Sequence, residues 1–146
     1  VGFVSAPLGQ VAALERAIRA TTWNAPGVMT AIACGWLDDG TVDRLEGEKR
    51  ADAATRQAVA RKALDGLPGV GHPNSYFIWL PLGEEVRADA VARALLQQQV
   101  SVSTAEPFAV SSSVPHAIRL ALGSVPLEGL EAALMKVRQV IDLHTC

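Results

Sequence analysis

The chain has 146 residues, 49% of them hydrophobic, and a net charge of −2. That suffices for one ordinary domain, or for a small domain joined to part of another. The mixed charges contain no lysine and arginine run, which excludes a nucleic-acid surface on this chain. No apolar run reaches the ~20 residues that span a bilayer and no secretory signal opens the sequence, so a soluble, cytoplasmic protein without membrane contact is expected. Cys34 and Cys146 lack motif spacing, and His72, His116 and His144 are scattered, which argues against a disulfide framework and a metal site.

In chain order, "VGFVSAP" reads as a buried strand ending at Pro7. Such a strand needs neighbours on both sides, and this start without Met predicts a piece of a longer parent. Leu8, Val11, Leu14 and Ile18 then mark an amphipathic helix that stops near Thr21 and Thr22. A second helix restarts after Pro26 and is apolar nearly all round up to Asp38, Asp39 and Gly40, which predicts burial. Trp23, Met29 and Trp36 are its expected core or interface residues. Asn24 reads as a helix cap, with a place near a cofactor pocket as the sharper alternative.

A long helix follows from Thr41 to about Leu64. Its seam, Val42, Leu45, Lys49, Asp52, Arg56, Val59 and Ala63, is apolar at both ends and charged in the middle, the pattern of a connector crossing open solvent between two lobes. Gly66, Pro68, Gly69, Gly71 and Pro73 break the chain and mark a boundary.

The remainder predicts a small α/β unit, with a strand at 75–82, a helix over "EEVRADAVARALLQQQ", a short strand at 100–103, a polar loop with a buried aromatic at Phe108, a third strand in "AIRLALG" and a final helix. That helix carries Leu127, Leu130, Leu134, Val137 and Ile141 inward. Both helices are expected on one side of a three-stranded sheet. The expected organisation is 1–40, the truncated end of a large domain; 41–66, a connector helix; and 67–146, a C-terminal small domain.

One residue in the third strand breaks its pattern. Ile118, Leu120 and Leu122 share one face, while Arg119 stands between Ala117 and Ala121 on the other. Small neighbours leave a hollow around its guanidinium, whose planar fork matches a carboxylate best. Either the protein supplies that anion or a ligand does. The plainer alternative is an edge-strand arginine in water or beside a glutamate. His116 reads as a loop histidine, or as a contact to a ligand's second polar group. Ser111, Ser112 and Ser113 have no base at readable spacing, so they are not expected nucleophiles.

In order, "VGFVSAP", "W…DDGTVDRLEGEKRADAATRQ", "HPNSYFIWLPL", "VSVSTAEPFAV" and "PHAIRLALGSV" resemble the C-terminal portion of fold type I, class I/II aminotransferase-like proteins that use pyridoxal phosphate. "STAEPFAVSSSVPHAIRLALGS" is most similar to the aminotransferase-like half of MocR-type regulators of the GntR family. The resemblance implies that Arg119 grips the α-carboxylate of an amino-acid-like ligand. It implies pyridoxal phosphate in the parent, with none bound to this chain, because the Schiff-base lysine of the family precedes the first strand. Lys49, Lys62 and Lys136, the three lysines present, read as surface charges. It also implies DNA contact only through a separate N-terminal reader. The all-round apolar second helix, cut off from its large domain, separately predicts that 1–36 pack poorly within one copy and are covered by another in a homo-oligomer. The expected output is sensing of an amino compound, with a free-standing aminotransferase as the alternative and no catalysis by this chain alone.

Overall fold

A computed structural model describes residues 2–145. Among them, five helices and three strands follow in the order α1 (Leu8–Thr21), α2 (Gly27–Asp38), α3 (Thr41–Ala63), β1 (Phe77–Pro81), α4 (Ala88–Gln97), β2 (Ser103–Thr104), β3 (Ala117–Ala121) and α5 (Leu127–Thr145). The chain divides into two units, Val1–Gly47 and Glu48–Cys146, and the division falls inside α3.

In the first unit, α1 ends with Thr22 and Trp23 both donating backbone N–H groups to the Ile18 carbonyl. Trp23 takes the left-handed conformation there, at φ 64°, a place where a helix more often ends on glycine. Pro26 precedes α2 as its cap residue and offers no side-chain bond, so Asn24 does not fill the capping role expected of it. No residue of α1 or α2 is buried. Trp23, Met29 and Trp36 are 72%, 49% and 49% exposed, so within this chain they are not core residues. The expected strand at "VGFVSAP" is also absent over 2–7, where Phe3 and Val4 are exposed; Val1 and Cys146 lie outside the described residues. An apolar strand or helix face becomes a core only when something packs on it, and by itself this unit buries none of its apolar side chains in α1 or α2.

The second unit is built on an antiparallel sheet with the order β1-β3-β2. β3 is central: it pairs with β1 from Phe77 opposite Ala121 to Pro81 opposite Ala117, and with β2 at Ser103 opposite Arg119. β1 and β2 therefore run parallel to each other on either side of β3, joined through α4. Ile78, Leu80, Ile118 and Leu120 form the covered face, and they share one core with Val91 and Leu95 of α4 and Leu130, Leu134, Val137 and Ile141 of α5. The sheet with α4 and α5 on one side is as the periodicities predict.

Three local departures have clear causes. α4 starts at Ala88, later than "EEVRADAV" suggests, because a turn closed by the Val86 N–H on the Gly83 carbonyl precedes it. β2 shrinks to Ser103–Thr104 because Gln99, left-handed at φ 63°, redirects the chain, and Val100 and Val102 pack on the core before it meets β3. The middle of α3 is solvated only in part: 46–51, Lys49 among them, are exposed, but the next turn is held. Arg56 donates to the carbonyls of Leu122 and Val125 at 2.8 Å each and to Asp52 at 2.9 Å, and the Tyr76 hydroxyl donates to Asp52 at 2.7 Å. Beside them Gln57, buried among Ala53, Ala60 and Ala63, donates to the Ser75 and Phe77 carbonyls.

Glycine is required where this packing is tight. A Cβ at Gly123 would meet the Tyr76 ring at 3.0 Å, and one at Gly71 would meet the Phe77 carbonyl at 3.1 Å. The Gly71 approach lets neighbouring Val70 exchange two backbone bonds with Trp79, which covers part of the outer edge of β1.

Candidate functional site

The face of the sheet turned away from α4 and α5 carries Phe77, Trp79 and Pro81 from β1, Ser103 from β2, and Ala117, Arg119 and Ala121 from β3, since directly opposed residues point to the same side; Ala117 is fully buried there, Arg119 is half-buried and Ala121 is exposed. Arg119 is the sole charged side chain among them. It sits on the central strand, which removes the edge-strand alternative. Its backbone is fixed from both sides, with Trp79 and Ser103 directly opposite, and from beneath by Ile118 and Leu120, both almost wholly buried.

Two aromatic rings hold its head group. The guanidinium carbon lies 4.9 Å from the centre of the Phe77 ring and 4.5 Å from that of Phe108. Phe77 belongs to the strand on one side of β3, and Phe108 to the 3₁₀ turn Glu106–Phe108 that follows the strand on the other. The rings therefore reach Arg119 from its two opposite neighbours. Phe108 was expected to be buried; it is 50% exposed, and one flank is spent on the arginine. A cation over a ring face is attracted by the ring's quadrupole, by about 0.5–1 kcal/mol where solvent has access.

The Arg119 Nε–H is buried and has no hydrogen-bond partner, and none of the ion pairs among the described residues involves Arg119. Of the two sources of an anion left open by the sequence, the described protein supplies none. The turn that carries Phe108 also carries Glu106, whose carboxyl is held below its ordinary value, first by the Thr104 hydroxyl, and which forms no ion pair with Arg119. A buried donor without a partner costs free energy, on the order of 1–3 kcal/mol, which a planar anion arriving at the fork would offset.

The other residues singled out in the sequence do not join this site. His116 precedes β3, exposed, and its carbonyl accepts the Leu82 N–H. Ser111 bonds the Ser113 carbonyl in an exposed loop with no base beside it. No cluster of metal-ligating side chains occurs among the described residues. Beyond the short β2, a cleft of about 440 Å³ opens beside β3, walled mainly by Val102, Leu120, Leu134 and Val137. Sequence reasoning found Arg119 but not its bracket; the one available signal was an aromatic, Phe108, in an otherwise polar loop.

The family model described as aminotransferase class I and II matches residues 1–137. Among solved structures, LysN, an alpha-aminoadipate aminotransferase from Thermus thermophilus, superposes with a TM-score of 0.74 at 16% identity, over 89% of this chain and 34% of its own. An archaeal alanine:glyoxylate aminotransferase gives 0.71 at 19% identity, over 86% and 32%. MppP, soaked with its product 2-ketoarginine, gives 0.55 at 24% identity, over 71% and 30%. Among curated proteins none matches. These likenesses are of fold, and the chain spans about a third of the length of each of these structures.

Proposed function

The chain belongs to the class I and II aminotransferase family, and from that premise we propose that its second unit is the carboxylate-binding lobe of a pyridoxal-phosphate-using parent, with Arg119 holding the carboxylate of an amino-acid-like ligand. The observation that carries the reading is the buried, unpartnered Nε of Arg119 on a face with no other charge. Two parallel N–H···O bonds from a guanidinium fix both the position and the plane of a carboxylate. This chain's part is to bind and orient.

Pyridoxal phosphate supplies an electron sink for chemistry at the carbon bearing the amino group. The described residues do not fit it. The covalent attachment needs an amine in a low-dielectric pocket, whereas Lys62 is 83% exposed beside Glu131, Lys136 donates to the Gln98 carbonyl from the surface of α5, and Lys49 is exposed on α3. Cofactor attachment is thus assigned to other parts of the parent.

The finer reading is a MocR-type regulator of the GntR family that senses an amino compound, supported by the wording of "STAEPFAVSSSVPHAIRLALGS". A free-standing aminotransferase is the second reading, supported by LysN and the archaeal alanine:glyoxylate enzyme sharing the fold. Turnover of an amino acid with a 2-oxo acid by the parent, against DNA binding altered by the amino acid, separates them. The apolar surface left uncovered on α1 and α2 supports a homo-oligomer.

The test of the carboxylate role is a titration of the parent's cofactor absorbance with amino acids in wild type, Arg119→Lys and Arg119→Ala. Losing two charge-assisted bonds weakens binding on the order of a hundredfold or more. Lysine keeps the charge but not the fork and rescues part of it, with cofactor loading unchanged. Unaltered amino-acid affinity in Arg119→Ala with collapsed cofactor loading would overturn the assignment.

A further inference from the structure

The carboxylate reading leaves open what kind of carboxylate the face accepts, and the surroundings of Arg119 speak to that. Resting on that reading, we infer that Phe77 and Phe108 are positioning residues that hold the guanidinium in one plane and make the site select monocarboxylates with an aromatic or aliphatic body over short or doubly charged ones.

A free arginine side chain carries much rotamer entropy, and every bond made to a ligand must overcome it. The two rings, at 4.9 and 4.5 Å from the guanidinium carbon, restrict that freedom before a ligand arrives. They come from opposite neighbours of β3, so the approach left to an anion is along the edge of the fork, where its N–H bonds point. The rings are not consumed by this contact: Phe77 is 47% and Phe108 50% exposed, and Trp79 and Pro81 continue the apolar surface along β1. A ligand body beside the carboxylate therefore lies on aromatic and aliphatic carbon. A second carboxylate would meet the negative face of a ring and find no further cation on this sheet face.

The experiment follows the Arg119 Nε–H signal of the 146-residue chain by NMR during titration with acetate, 3-phenylpropanoate and glutarate. 3-Phenylpropanoate should bind on the order of tenfold more tightly than acetate, and glutarate no more tightly than acetate. Phe108→Leu and Phe77→Leu should each cut the preference to about twofold, and Phe108→Tyr should restore it, because the ring face is what acts. Phe108 is half exposed, so its variants keep the fold. Equal affinities for all three probes, with the Nε–H signal still moving, would overturn this inference and leave the carboxylate role of Arg119 standing. A Nε–H signal that no carboxylate moves would overturn that role and this inference with it.

Discussion

α2 and α3 invert what their compositions suggest. α2 is apolar nearly all round and buries nothing, whereas α3, with charges through its middle, buries Ala53, Gln57, Ala60 and Ala63 and holds the turn that follows β3 through Arg56. Apolar content states which surface gains from being covered; only a partner surface decides whether it is. α3 has such a partner in the sheet unit, and the charges that read as solvated become its fastening. A mostly buried arginine succeeds there because both carbonyls and a carboxylate meet it, so none of its neighbours is left unpaired.

The widest gap between the two units should appear in stability. Leu80→Ala, which empties a fully buried site, should cost about 2–5 kcal/mol in urea unfolding. Met29→Ala on α2, at a concentration where the chain is monomeric, should stay within about 0.5 kcal/mol. Comparable losses at both positions would mean that α2 is packed in solution and would erase the contrast.

The fastening of α3 comes next. Arg56→Ala leaves the Leu122 and Val125 carbonyls without this donor and Asp52 with Tyr76 alone, and should cost about 1.5–3 kcal/mol, with Arg56→Lys recovering part. An Arg56→Ala chain as stable as wild type would return the middle of α3 to solvent.

Acid sharpens the same point. The Tyr76 hydroxyl first, then Arg56, hold Asp52 below its ordinary value of 3.8, and the same bond raises Tyr76 above 10.0. The Asp52 contribution is therefore complete above the ordinary carboxylate value and is lost as pH falls through the lowered one. The Tyr76 contribution is complete below pH 10.0 and is lost as pH rises through its raised value. Unfolding midpoints measured from about pH 6 to about pH 2 should fall less steeply in Asp52→Asn than in wild type. Parallel curves would remove Asp52 from the account.

The smallest effect concerns the lysines. Borohydride reduction after incubation with pyridoxal phosphate should modify no lysine of this chain stoichiometrically, as Lys49, Lys62 and Lys136 all lie on solvent-facing helical positions. One fully modified lysine would show a pocket around an amine that the geometry lacks.

Much of the second unit was legible because local periodicity and tertiary packing agree there. Period two in "AIRLA" and three-four spacing in the last helix each mark a face, and each face is covered. Arg119 was legible as the one residue that breaks the first pattern. Its aromatic bracket was not, since Phe77 and Phe108 are 31 residues apart in the numbering and meet only when β3 is inserted between β1 and β2. The Asp52 and Arg56 pair was misread for a related reason: at i, i+4 it looks like any surface pair, and its acceptors lie 66 and 69 residues away. In the first unit the apolar spacing of α1 and α2 marked faces with no partner readable in the same chain, and accordingly no residue of either helix is buried.

The most direct test of the central claim is a crystal structure of this chain with 3-phenylpropanoate. The account predicts both carboxylate oxygens at Arg119, on its Nε and a terminal nitrogen at about 2.7–2.9 Å, with the phenyl group lying against Phe77 or Phe108. A carboxylate bound elsewhere, with Arg119 Nε donating to a protein acceptor instead, would contradict it.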